Sequence, residues 1–345
     1  MPPEQFPTIS KPGFIGEFSN DHQNNEVQIG RSRLRYLHES ALQQRRVYFD
    51  LNHGFETFRA KQNDGALDGL LKFIMSISEP GANLQKVIHD CGFVTWRGTL
   101  TRIAATPFLN QNSDPWTVAC CQFNGVVFLC EITEDKLNKQ ANENEFAKKA
   151  SYWGHCFEKF ITKDTVDSEP NISEPVSTFV DYSAVFKLAA RTQKGDRVEV
   201  CLGAEMDAID SRGNYVELKT QFQKLGIGRF WPEKQMKWWI QSYLVGIERL
   251  IVGLRDQAGV VEQLQEVNIQ HLRQSRTGWE PAVCMNFMLN YLDTVRSRLK
   301  ALPEGGILLT DYKSNYSSYK IREVREDEHA KIQFLPNYFI EHFNK

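Results

Sequence analysis

Two short segments of this 345-residue chain carry side chains able to do hydrolytic chemistry: Glu205-Met206-Asp207 and, ten positions beyond Asp207, Glu217-Leu218-Lys219. In an extended strand residues i and i+2 point to one face, so Glu205 goes with Asp207 and Glu217 with Lys219. Ser211-Arg212-Gly213-Asn214 lies between the segments, and Gly and Asn supply the positive φ that a tight turn needs. If the two strands pair through that turn, three carboxylates and one ammonium converge, which is costly unless something compensates the negative charge. A hard divalent cation does so: Mg²⁺ or Mn²⁺ prefers oxygen ligands and keeps waters for a phosphate substrate. The lysine can orient or activate the attacking water, or neutralise charge developing on the phosphate. A solvated hairpin of alternating charges is the competing reading. Val200, Leu202 and Ile209 argue against it, because exposed hairpins seldom set acids in so apolar a strand.

Three further residues are candidates. Glu158 sits in the aromatic-rich helical segment SYWGHCFEKF, where an isolated glutamate is ordinarily a surface residue. Gln241 follows Trp238 and Trp239, two rings that suit a core before they suit a base-stacking platform. Arg97, in TWRGTLTRI, is expected in a strand beside Gly98, where a backbone lets a ligand approach closely. Surface cation and phosphate clamp are both open for it.

The elements that must position these groups follow from the spacing of apolar residues. Helices are expected over residues 67–78 and 281–299, and a helix running into a strand over 232–255. From residue 87 the texture changes to strands, with a hairpin turning at Asn124-Gly125. Residues 131–160 are charged and helical in character, and the polar stretch 164–175, with two prolines, is expected to loop out. Residues 1–30, rich in Pro, Asn, Gln and Gly, are expected to form a weakly ordered arm, leaving 31–345 as a single domain. Helices interleaved with hairpins point to a mixed α/β (α+β) fold on antiparallel or mixed sheets.

A formal charge of −2 excludes nucleic-acid binding through bulk positive charge but not through a local basic groove. The longest apolar stretches, 125–130 and 247–254, fall far short of the roughly 20 residues of a membrane span. The opening MPPEQFPTIS has neither basic patch nor apolar core, so no secretory signal is expected. The seven cysteines contain no C-x-x-C pair and suit small buried hydrophobes in a reducing interior better than zinc or disulfides.

In order along the chain, WRGTLTRI, YWGHCFE, GAEMDAID, YVELKT and KWWIQSYLVGIERLIVGLR resemble the DXO family of RNA 5′-end decapping nucleases. That family includes the fungal proteins that partner a nuclear 5′→3′ exoribonuclease, and Asp…Glu-Leu-Lys is the general layout of PD-(D/E)xK metal nucleases. The likeness runs from about Tyr48 to the helix after Trp279. It implies one α/β domain with two sheets and a central cleft. It further implies that Glu158, Glu205, Asp207, Glu217 and the Leu218 carbonyl hold a divalent metal, Mg²⁺ or Mn²⁺. Lys219 is then the motif's lysine, Gln241 faces the reacting phosphate, and Arg97 lines the RNA-binding cleft.

The activity implied is hydrolysis at RNA 5′ ends, removing incomplete, triphosphate or NAD-type caps, with 5′→3′ exoribonuclease activity in several members. A nuclear location is implied by the resemblance alone, because no Lys/Arg run resembles a nuclear signal. The alternative is a non-catalytic partner that stabilises a 5′→3′ exoribonuclease or ribonucleoprotein; retention of all four acids argues against that as the sole role. One departure stands out. The family's GYKFE-type segment is Gly154-His155-Cys156-Phe157-Glu158 here, so the glutamate is kept while the usual tyrosine and lysine are replaced. The lost lysine removes a cation near the cleft and bears on substrate preference. From sequence, Asp207→Ala and Glu217→Ala are each expected to abolish hydrolysis with the fold nearly intact.

Overall fold

Runs of alternating and fully apolar residues build two mixed sheets in the computed structural model, which describes residues 4–344 except 62–65, 112, 133–143, 275–277, 304, 314 and 317. Among the described residues the larger sheet has nine strands, in the order Lys320–Glu323, Ile307–Tyr312, Trp116–Phe123, Val126–Glu131, Phe93–Trp96, Arg197–Glu205, Val180–Arg191, Gly13–Asp21 and Glu26–Ile29. The smaller has seven: Phe49–Asp50, Val260–Asn268, Arg249–Arg255, Tyr215–Phe222, Ala208–Ile209, Tyr36–Leu37 and Thr162–Lys163. Tyr215–Phe222 and Arg249–Arg255 are parallel, which requires a crossover. The helix Trp231–Val245 supplies it, ending at Gly246 in the left-handed conformation with φ 74°.

Alternation along Arg197–Glu205 sends Val200 and Leu202 to one face and Cys201 to the other. The first face joins the main core, where residues of both sheets pack with the helices Arg97–Ala105, Trp231–Val245 and Pro281–Lys300. The second face packs with Asp68–Ser76 and Asn337–Phe343. The helix Glu145–Ile161 covers the other side of the smaller sheet. Its Phe157 fills the space above Gly253, where an added Cβ would stand 2.6 Å from Phe157 Cε2. Phe157 is fully buried and cannot move aside. Gly253→Ala is therefore expected to cost about 1–3 kcal/mol through overpacking. Because Glu158 is the next residue along, turnover should fall with the melting temperature.

The helices over 68–76, 231–245 and 281–300 and the hairpin at Asn124-Gly125 lie where the sequence places them. Both turn residues have positive φ, 48° and 76°. All seven cysteines are free and buried. No helix among the described residues is long and apolar enough to cross a membrane. The helical stretch expected over 131–160 is realised from Glu145 onward, and residues 133–143 lie outside the described residues.

Three expectations are corrected. Residues 13–29 are not a weakly ordered arm: Gly13–Asp21 pairs along Val180–Arg191, and Phe18 is fully buried against Phe73 with ring centroids 5.1 Å apart. The Asn- and Gln-rich composition belongs to the 22–25 turn, where Asp21 Oδ1 accepts from the backbone N–H groups of Gln23 and Asn24. Arg97 is not in a strand. The strand ends at Trp96, and Arg97 opens the helix Arg97–Ala105. Finally, the acidic segments do not form one long hairpin. Arg197–Glu205 belongs to the larger sheet, and only Ala208 and Ile209 pair with Val216 and Tyr215 in the smaller one.

Candidate active site

The switch between sheets creates the site. The chain leaves the larger sheet at Glu205, crosses through Met206 and Asp207, and enters the smaller sheet at Ala208. Because Ala208–Ile209 covers only the start of Tyr215–Phe222, the edge of that strand from Glu217 onward is left open toward the gap between the sheets. Asp207 stands at this edge, its Oδ2 accepting from the Leu218 N–H at 2.6 Å. Glu217 and Lys219 share a strand face, as their spacing requires, and Lys219 Nζ donates to Glu217 Oε1 at 2.5 Å.

Arg97 reaches Glu217 from the other side. Its Nη1 donates to Glu217 Oε2 at 2.8 Å, and its Nη2 donates to the Glu205 carbonyl at 3.1 Å. Glu217 is 1% exposed, and burial alone would push its pKa up. Arg97 and Lys219 outweigh that, holding it down to about 2. Asp207 has the opposite balance: burial first, then the charge of Glu217, raise it well above the ordinary carboxylate range. Glu205, solvent-exposed within the cleft, is pushed up to about 7, first by loss of hydration between the cleft walls and then by Asp181.

A cleft of about 760 Å³ opens over these groups, with Arg97, His155, Glu158, Glu205, Asp207 and Gln241 in its lining. Glu158 comes from the helix Glu145–Ile161, with His155 Nδ1 3.9 Å from its Oε2. Burial is the largest influence on His155 and works against charging it, but adjacent Glu158 together with the charges of Glu205 and Asp207 outweighs burial, so its pKa is raised. Gln241 comes from the helix Trp231–Val245. Glu217, Leu218 and Lys219 are not in the lining and lie behind it. Trp238 and Trp239 are core residues, 6% and 1% exposed.

The candidate donors are all oxygens, carboxylates and the Leu218 carbonyl, which is the set a hard divalent ion takes. Electrostatics point the same way, since Asp207 and Glu205 are both driven toward protonation by enclosure and by neighbouring acids. The residues therefore fit such an ion chemically. As the side chains stand, no group of three or more His, Cys, Asp and Glu among the described residues is gathered closely enough to hold one.

A second polar network in the same cleft was not foreseen. His22 Nε2 donates to Asp181 Oδ2 at 2.5 Å, Asn20 Nδ2 donates to Asp181 Oδ1 at 2.6 Å, and Lys61 Nζ lies 3.5 Å from Asp181 Oδ2. These residues join the 13–29 hairpin, the loop at 61 and the strand Val180–Arg191 across 159 and 120 positions of sequence. No local pattern carries a signal across such separations.

Known proteins resemble this chain over most of its length. The chain is 33% identical over 336 residues to "Decapping nuclease dom-3" of Caenorhabditis elegans, covering 96% of this chain and 84% of that protein. It is 30% identical to "Decapping nuclease RAI1" of Aspergillus fumigatus, over 95% of this chain and 93% of that one. The fold matches the crystal structure of Candida albicans Rai1 in complex with pU5-Mn²⁺, with TM-score 0.79 at 17% identity over 99% of this chain and 96% of that chain. The family model for the RAI1 like PD-(D/E)XK nuclease matches residues 10–340. That span takes in the 13–29 hairpin, both sheets and every acid at their junction, and the chain belongs to the RAI1 like PD-(D/E)XK nuclease family.

Proposed function

We propose that this chain is a divalent-metal-dependent hydrolase of RNA 5′ ends, a decapping nuclease, consistent with the activity named for its relatives. The observation that carries the reading is the pairing of opposite electrostatic states at the sheet junction. Glu217 is locked as an anion by Arg97 and Lys219, while Glu205 and Asp207 face the cleft as acids short of positive charge. Mn²⁺ or Mg²⁺ bound there would polarise the phosphate and lower the pKa of a water.

Glu158, Glu205, Asp207 and Glu217 would hold the ion together with the Leu218 carbonyl. Arg97 positions Glu217 and contributes to the cleft wall. Lys219 places a cation behind the reacting phosphate, and Gln241 offers an amide N–H to a phosphate oxygen in the cleft. Removal of incomplete, triphosphate or NAD-type caps, a nuclear location and a 5′→3′ exoribonuclease partner complete the proposal on family likeness.

Incubation with RNAs differing only at the 5′ end, with and without Mn²⁺, tests it. Ion-dependent release of a cap, a nucleotide or pyrophosphate is expected. Absence of any released product from every 5′ end would leave only a docking role. Ion binding should also displace protons, since a carboxylate ligates only when deprotonated. With Glu205 at about 7, affinity for Mn²⁺ is expected to fall as pH drops from 7 to 6. Calorimetric titration in buffers of different ionisation enthalpy reads the proton release directly.

A further inference from the structure

The two acid-bearing segments are tied together by residues that carry no part of the metal chemistry. Tyr182, on the strand Val180–Arg191 of the larger sheet, accepts at its carbonyl from the Met206 N–H at 3.0 Å, and Met206 stands between Glu205 and Asp207. Its side chain is buried in the main core and reaches across to the smaller sheet. The Tyr182 hydroxyl donates to Glu17 Oε2 at 2.5 Å. With that one proton committed, the Tyr215 hydroxyl, 2.9 Å away, donates to Tyr182 Oη. Tyr215 opens the strand Tyr215–Phe222 of the smaller sheet. It shares a strand face with Glu217, about 7 Å further along. At the other end of the chain of bonds, Glu17 stands on the strand Gly13–Asp21, and Arg31 Nε donates to its Oε1 at 2.7 Å.

Hydrogen bonds in series polarise one another, and a buried series is costly to leave half made. This one crosses from sheet to sheet beside both acidic segments. Arg97 also spans the junction, through the Glu205 carbonyl and the Glu217 carboxylate. That strut ends on a carboxylate which an ion would draw toward itself. Glu17, Tyr182 and Tyr215 are not among the proposed ligands, so their bonds need not change when an ion arrives. Partners that fix a metal's ligands without touching the metal typically change its affinity by about 10–100-fold when removed.

We propose that Glu17, Tyr182 and Tyr215 are positioning residues, a hydrogen-bonded clasp that sets the spacing of Glu205 and Asp207 from Glu217 and with it the affinity of the site for a divalent ion. The N-terminal hairpin thereby acts on the ion site although it supplies no ligand. The inference rests on the reading of the cleft as a metal-dependent hydrolase.

Tyr215→Phe is the sharpest test, because it cuts the link between the sheets and leaves the bonds from Tyr182 and Arg31 to Glu17 in place. In the ion-free protein, amide exchange at Met206 and Leu218 should quicken about tenfold, while amides of the helix Pro281–Lys300 keep their rates. By calorimetric titration, Mn²⁺ should bind about tenfold more weakly to Tyr215→Phe and to Tyr182→Phe. The double variant should bind it no more weakly than either, since both act through one series of bonds. At saturating Mn²⁺, kcat of Tyr215→Phe on a 5′-triphosphorylated RNA should return to within about threefold of the parent. Unchanged exchange at Met206 and Leu218 overturns the clasp, as does a rise spread evenly over the protein. Equal Mn²⁺ affinity, losses that add in the double variant, or a kcat that excess Mn²⁺ does not restore overturn it too. A parent that binds no Mn²⁺ counts against the hydrolase reading instead, and the exchange rates still decide whether the clasp holds the segments.

Discussion

Asp207→Asn is expected to lower hydrolysis of a 5′-triphosphorylated or capped RNA by about a thousandfold, the scale of removing one group that stabilises transition-state charge, while the protein melts no lower than the parent. The amide keeps an acceptor for the Leu218 N–H that Asp207 Oδ2 now takes at 2.6 Å, so the strand edge stays as it is. What disappears is a charge that burial and Glu217 both oppose. The pH dependence follows. A carboxyl whose folded pKa lies above its unfolded value, about 3.9, binds its proton more tightly when folded, so its contribution to stability falls as pH rises through that interval. The variant lacks this loss, and its advantage in melting temperature should grow from pH 4 toward neutrality. Single-turnover rates and thermal melts across pH give both numbers. Turnover within tenfold of the parent would remove Asp207 from the chemistry.

Glu217→Ala should behave differently although it lies one motif away. From sequence the two acids are equivalent, each a ligand whose removal relieves repulsion. In the structure Glu217 is the shared anion of Arg97 and Lys219, and truncating it leaves two cations unmatched, one of them, Arg97, only 8% exposed. Breaking a buried pair by removing one partner costs about 3–5 kcal/mol. At roughly 2.1 cal/mol/K of unfolding entropy per residue, that is a fall of about 4–7 °C in melting temperature. Activity is lost as well, through the donor and through the freed Arg97. The sign with pH is opposite to that of Asp207. With its pKa held down to about 2, Glu217 contributes stability that is complete above the ordinary carboxylate range and lost as pH falls toward 2. Glu217→Gln keeps an acceptor and should lose less stability with equal loss of activity. A Glu217→Ala protein that melts with the parent would show that Arg97 and Lys219 do not depend on this anion.

The donor chemistry was legible in the chain itself. Residue type alone sets which ions the oxygens of Glu205, Asp207 and Glu217 would accept, and two-residue spacing alone places Glu217 beside Lys219. The helices over 68–76, 231–245 and 281–300 and the Asn124-Gly125 turn were equally legible, since 3.6-residue periodicity and positive-φ residues are local properties. The strand-like reading around Arg97 failed because the helix Arg97–Ala105 is buried on most sides and carries little amphipathic contrast. The N-terminal hairpin was missed because its polar turn dominates the composition of a segment whose buried face is a few residues, Phe18, Ser19 and Asn20.

Only the tertiary structure decided that Glu205 ends one sheet while Asp207 introduces another, that Arg97 clamps Glu217 across 120 positions, and that Glu158 and Gln241 approach from two separate helices. Those relations belong to the packing of two sheets against shared helices. Side-chain type and short-range period are written into each segment, but the distance and dielectric between charges far apart in the chain exist only once the segments have met.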